Sequence, residues 1–121
     1  MPYYSITETI EFTEVVYEYF QDDEAFLVLQ DYLMRNPVSG EVIKDAGGLR
    51  KLRWPDSRRG KGKRGGLRLI YLHVPEFERF LLLDVYGKDE QEDLNADERQ
   101  ELRQLANEYR AALSKKKGSQ K

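Results

Sequence analysis

The chain has 121 residues, of which 35% are charged, 40% hydrophobic and 12% aromatic, with a formal net charge of −2. That is one domain's worth of chain, with enough apolar and aromatic content for one core. It has no cysteine, which excludes disulfides, thiolate metal sites, iron–sulfur clusters and cysteine nucleophiles. No stretch approaches the roughly 18 apolar residues of a membrane span. The start MPYYSITETIEF lacks the basic and apolar regions of a signal peptide, so we expect a soluble, cytoplasmic protein.

In chain order, Ser5–Phe12 alternates, with Ile6, Glu8, Ile10 and Phe12 on one side and Thr7, Thr9 and Glu11 on the other. This reads as a strand. Thr13 then caps a short helix to Phe20, with a continued strand through Val15, Val16 and Tyr17 as the alternative. Asp22 or Asp23 starts a firmer helix, with Phe26, Leu29 and Leu33 at i, i+3 and i+7. Asn36-Pro37 stops it, reinforced by Gly40. After Gly47-Gly48, Leu49–Trp54 alternates, with Lys51 and Arg53 on one face and Leu52 and Trp54 on the other; Pro55 ends it. Leu67–Val74, apolar on both faces except for Arg68, reads as a central strand. Phe80–Lys88 reads as another, with Leu81, Leu83 and Val85 facing one way and Asp84, Tyr86 and Lys88 the other. An acidic loop, Asp89–Leu94, leads to a capping box at Asn95 and Glu98. Leu102, Leu105, Ala106, Tyr109 and Leu113 trace one face of a last helix. The lysine-rich residues 114–121, with Lys115, Lys116, Lys117 and Lys121, read as a frayed basic tail. The expected fold is α+β: one domain over 1–113, built on a twisted antiparallel sheet of a first strand plus a three-stranded meander. Two N-terminal helices and one C-terminal helix cover it.

The small net charge hides a segregated distribution. Met1–Arg35 holds eight acids and one base, whereas Arg50–Arg68 holds nine bases and one acid, Asp56. Such a basic segment attracts polyanions, nucleic acid first among them. Its cations are Arg50, Lys51, Arg53, Arg58, Arg59, Lys61, Lys63, Arg64 and Arg68. With Tyr86 and Lys88 they make a cationic surface with a phenol, suited to RNA; solvated sheet cations are the plainer reading. Arg68, in an otherwise apolar strand, requires a partner or a function, and Asp84 is a candidate partner. Competing chemistries have little to stand on. His73 is the only histidine, so no two-histidine site can form. Asp89, Glu90, Glu92 and Asp93 could ligate Mg²⁺ but better fit a solvated loop before a helix start. Ser39 and Ser57 lack a nearby base. The run Gly60–Gly66 lacks the Lys-Ser/Thr of a phosphate-binding loop and leads into a strand. Trp54 reads as core, with base stacking as the alternative. No metal or other cofactor is expected.

Three segments together, NPVSGEVI, GGLRKLRWPDSRRGKGKRGGLRLIYLH and LLLDVYGKDEQEDLNADE, resemble the RelE/ParE superfamily of toxins, and most closely its HigB-type, host-inhibition subgroup. The resemblance runs from about Tyr3 to Leu113. It implies a RelE-like fold and a ribosome-dependent mRNA interferase, the toxin of a type II toxin–antitoxin pair. Such a toxin cuts mRNA in the ribosomal A site by attack of the ribose 2′-OH on the adjacent phosphate. It also implies a cognate helix-turn-helix antitoxin as partner, operator DNA bound only through that antitoxin, and no membrane. Carried over to this chain, Arg68 stabilises the phosphate, and Lys51 and Arg53 divide acid–base and phosphate-binding roles. Lys88 donates a proton or binds phosphate, and Tyr86 positions or stacks on a base. Arg50, Arg58, Arg59, Lys61, Lys63 and Arg64 bind RNA. The chain lacks the additional C-terminal acid–base group that many members carry, which leaves the general base unassigned. It also leaves a gyrase-inhibiting, ParE-like role and a non-catalytic RNA-binding module as alternatives.

Overall fold

The computed structural model describes residues 4–56, 66–91 and 93–119, the last three of these by backbone alone. Among them lie five strands and three helices: β1 (Ser5–Glu8), α1 (Ile10–Tyr19), α2 (Asp23–Arg35), β2 (Glu41–Val42), β3 (Arg50–Trp54), β4 (Leu67–Val74), β5 (Arg79–Gly87) and α3 (Ala96–Ser119). The strands form one sheet in the order β1-β5-β4-β3-β2. The class is α+β, as expected, but the sheet is mixed and not antiparallel throughout. β2, β3, β4 and β5 pair antiparallel, whereas β1 lies parallel to β5, with Ser5 opposite Arg79 and Glu8 opposite Leu82. The α1–α2 excursion carries the chain to the far edge, and three reversals bring β5 back beside β1 in the same direction.

Helix α1 begins earlier than alternation suggests. Thr9, not Thr13, is its N-cap, and the Thr9 Oγ1 accepts from the Phe12 N–H at 3.1 Å. Ile10 is then 74% exposed, while Phe12 and Val16, one turn apart, enter the core. Asp22 caps α2 through the Ala25 N–H at 2.9 Å, and Phe26, Leu29 and Leu33 are its buried residues. The capping box of α3 is formed: Asn95 Oδ1 accepts from the Glu98 N–H at 2.8 Å, and Glu98 Oε1 from the Asn95 N–H at 3.0 Å. The helix continues to Ser119, past the Leu113 at which the apolar stripe stops. Lysine and alanine favour helix, and cations suit its C-terminal end. No helix among the described residues is long and apolar enough to cross a membrane.

The sheet separates two apolar layers. On one face, α1 and α2 pack Phe12, Phe26, Leu29 and Leu33 against Leu52, Leu69, Tyr71, Phe80 and Leu82. On the other, Leu49, Leu94 and Ala106 pack against Ile70, Leu72, Leu81 and Leu83. Tyr71 ties the edge turn to the core. Its hydroxyl donates to the Pro37 carbonyl at 2.9 Å and accepts from the Gly40 N–H at 3.1 Å.

An irregularity in β5 decides which residues share the second face. Ile70 pairs with Asp84 but Tyr71 with Leu82, so Leu83 is an extra residue. Beyond this bulge Val85 joins the α1–α2 layer, while Tyr86 packs with Leu81 and Leu83. The simple alternation read from the sequence, with Leu81, Leu83 and Val85 on one face, is therefore broken at Leu83.

Candidate nucleic-acid interface

Register assembles the cationic face. Arg53 on β3 lies opposite Arg68 on β4, and Arg68 lies opposite Tyr86 on β5. Residues paired across a sheet project to one side, so these three form a row. One step along, Lys51 pairs with Ile70, and Ile70 with Asp84. The alternation of β3 puts Leu52 and Trp54 into the opposite layer, where Trp54 packs against Tyr32 at a ring distance of 5.2 Å. Trp54 is thus a partly buried packing residue.

Arg68 is only 6% exposed. Its Nη1 donates to the carbonyl of Leu67 at 3.1 Å, and neither it nor Arg53 has an ion pair with a carboxylate among the described residues. Asp84 is not the partner of Arg68; it stands opposite Ile70. The adjoining segment 57–65 contains no acid at all, and Asp56, which precedes it, is 1% exposed. Two arginines directly opposite one another repel.

Tyr86 is 4% exposed, and its hydroxyl is buried without a hydrogen-bond partner among the described residues. Burial, helped by Asp93 and Asp84 and opposed by Arg68, pushes the phenol up to about 12. It therefore stays protonated at neutral pH, a donor without an acceptor. Asp84 is pushed up to about 6, chiefly by burial and further by Glu98, against a lowering bond from the Val85 backbone. It lines a cavity of about 220 Å³ with Glu11, Glu98, Glu101 and three leucines.

Lys51 pairs with Asp93, from the loop before α3, at 3.4 Å. Burial disfavours the Asp93 carboxylate, but the Leu94 N–H at 2.8 Å and the Lys51 ammonium outweigh it and hold the carboxyl below its ordinary range. Lys88 is exposed just after β5, and its backbone N–H bonds the Gly66 carbonyl at 3.1 Å, beside the end of the basic segment. Arg50 does not join the row. It alternates to the other side of β3, and its Nη1 donates to the carbonyls of Gly40 at 2.7 Å and Val38 at 3.3 Å, bracing the edge turn. Arg58, Arg59, Lys61, Lys63 and Arg64 lie outside the described residues.

The remaining candidates fall elsewhere. His73 stacks against both Tyr4 and Phe80, which also touch each other at 5.1 Å, and burial, reinforced by Arg50, lowers its pKa. Glu90 accepts from the Tyr19 hydroxyl at 2.9 Å, and no group of three His, Asp or Glu among the described residues is placed to hold a metal ion. Two residues beside Lys51 were not singled out from the sequence. Lys44 and Arg99 line a cavity with it and with Asp93; a cation in the first turn of α3 was the available signal. No protein-family model matches the chain.

Proposed function

We propose that the chain binds and cuts RNA on this face, as the toxin of a type II toxin–antitoxin pair acting on mRNA in the ribosomal A site. The observation that carries the reading is the row Arg53–Arg68–Tyr86, two opposed arginines and a phenol donor with no carboxylate paired to the arginines. A phosphodiester supplies an anion that both arginines can share. Arg68, fixed by burial, and Arg53, exposed, take its non-bridging oxygens and stabilise the charge that grows as the 2′-OH attacks. Lys51 adds a third cation, and Lys88 lies where the segment 57–65 rejoins the sheet. Tyr86, protonated at neutral pH, is a hydrogen-bond donor rather than a base, and its buried hydroxyl reaches the phosphate or leaving oxygen only as bound RNA displaces the groups that cover it. This chemistry uses a 2′-OH nucleophile and requires no metal. A cognate antitoxin that covers the face with carboxylates silences it, and operator DNA is reached through that antitoxin.

Primer extension on mRNA translated in a cell-free system tests the reading, with wild type, Arg53→Ala and Tyr86→Phe side by side. Arg53 is exposed, and Tyr86→Phe removes only a hydroxyl that has no partner among the described residues, so both variants should fold. Ribosome-dependent cuts within A-site codons, reduced at least about tenfold in each variant, are expected. Intact mRNA together with blocked DNA supercoiling would replace the reading with gyrase inhibition; salt-dependent RNA binding without product would replace it with a binding module.

A further inference from the structure

We propose that the cavity where β2, β3 and the start of α3 meet is a second phosphate subsite, which takes an RNA phosphodiester next to the one on the Arg53–Arg68–Tyr86 row. The inference rests on the reading of that row as a nucleic-acid site. The cavity measures about 260 Å³ and is lined by Lys44, Lys51 and Arg99, with Glu41 and Asp93 among its other residues. Cations outnumber carboxylates there, and among the described residues the ion pair in the cavity is the long Lys51–Asp93 contact of 3.4 Å.

Arg99 carries the argument. Its Nε is buried and has no hydrogen-bond partner among the described residues, and its Nη2 reaches the Leu94 carbonyl only at 3.5 Å. The Nε is closed to a ligand by its burial, so the donors that a bound oxyanion can take are the terminal guanidinium nitrogens, one of which makes only that long bond. Arg99 also stands in the first turn of α3, which runs from Ala96, where the helix dipole disfavours a cation and favours an anion. Glu98 beside it is occupied by the capping box and by the Gln91 amide at 2.9 Å. Lys51 connects the two sites. It lines this cavity and stands two residues from Arg53 on the same face of β3, roughly 6.6 Å along the strand. Consecutive phosphates of one strand can therefore engage both. A phosphate entering the cavity takes the Lys51 ammonium from Asp93, one anion replacing another. Strand β2 spans only Glu41–Val42, which leaves the cavity open at the sheet edge.

The test follows the Arg99 Nε–Hε resonance by NMR as full-length protein is titrated with inorganic phosphate, then with a single-stranded, 2′-O-methylated RNA hexamer that cannot be cut. A saturable Arg99 shift is expected with both. Lys44→Gln should weaken phosphate binding about fivefold and Glu41→Gln should tighten it about fivefold, the factor one charge at contact distance in water provides. Both residues are exposed, so neither change threatens the fold. An unmoved Arg99, or affinities unchanged in both variants, overturns the subsite. A shift with phosphate but none with the hexamer overturns its assignment to RNA. RNA cleavage by wild type is measured in parallel. Cleavage without an Arg99 response removes the subsite and leaves the nuclease; an Arg99 response to both ligands without cleavage removes the nuclease and leaves the subsite.

Discussion

Asp84 owes its environment to one inserted residue. Because Leu83 is the extra residue of the β5 bulge, Asp84 is turned to the face that α3 covers, against Glu98, Glu101 and Glu11. Its carboxyl rises from 3.8 to about 6. The folded state therefore holds this proton more tightly than the unfolded chain does. The resulting stability is fully present below pH 4, is lost as pH rises through about 6, and is flat above that. A two-unit shift corresponds to about 3 kcal/mol at most, and partial exposure reduces it. Asp84→Asn should thus stabilise the protein by about 1–2 kcal/mol at pH 7 and by almost nothing at pH 4. Urea denaturation of both proteins at pH 4, 5, 6 and 7 checks this: the gap should open across the window, and a gap independent of pH would refute the burial argument. Arg68 shows what one residue reveals unaided. A guanidinium in an apolar strand is anomalous in any register, and it proved buried. Asp84 as its partner was a different matter, since only the bulge decides which residue stands opposite.

At the scale of elements, the β2–β3 edge holds Lys51 in place, and Gly40 sets its spacing. A Cβ added at Gly40 would meet the Tyr71 ring at 2.9 Å and the Lys51 carbonyl at 3.0 Å. The neighbours are a buried ring and a strand backbone, neither free to give way. Gly40→Ala should therefore destabilise the protein by about 1–3 kcal/mol and move Lys51, so that RNA affinity falls along with the thermal midpoint; an unchanged midpoint in a thermal melt would contradict the packing. Elements with strong local codes were legible. Helices α2 and α3 combined a 3.6-residue apolar period with side-chain caps, and both start where Asp22 and Asn95 place them. Helix α1 was read four residues late because Ile6, Glu8, Ile10 and Phe12 alternate as a strand would; Phe12 and Val16 satisfy the helical period equally well, and Thr9 decides between them. Strand β2 was invisible, since two residues carry no period. The direction of β1 beside β5 was hidden as well, because pairing at that distance in sequence leaves no local mark. The same limit applied to the site. Lys51 and Arg53 were correctly placed on one face by alternation, but Arg50, counted by charge alone, turned out to brace a turn on the other side.

Over the whole molecule, charge is segregated rather than scarce. The chain's first 35 residues carry eight acids and one base, and they supply β1 and the two helices that cover one face of the sheet. On the opposite face, beyond the part that α3 covers with Glu98 and Glu101, lie Lys51, Arg53 and the largely buried Arg68. A polyanion approaching the acidic side is repelled and one approaching the cationic side is attracted, so the field orients RNA before contact, and more strongly at low salt. Binding should then be governed by release of counterions from the few phosphates engaged. On single strands the log–log slope of affinity against salt is about −0.7 per phosphate contact. Lys51→Gln and Arg53→Gln should each reduce the magnitude of the slope by about 0.7. Arg35→Gln should leave it unchanged, because Arg35 lies at the end of α2, paired with Asp31 at 3.0 Å. Fluorescence anisotropy with a 2′-O-methylated oligomer between 50 and 300 mM salt, about the range over which such contacts are resolved, measures all four proteins. If Arg35→Gln lowered the slope as much as Arg53→Gln, RNA would be held by diffuse charge and the register-built row would have no special part in it. If the Lys51 and Arg53 losses add in the double variant, each contacts its own phosphate. A double variant no worse than either single one would mean that both cations hold the same phosphate.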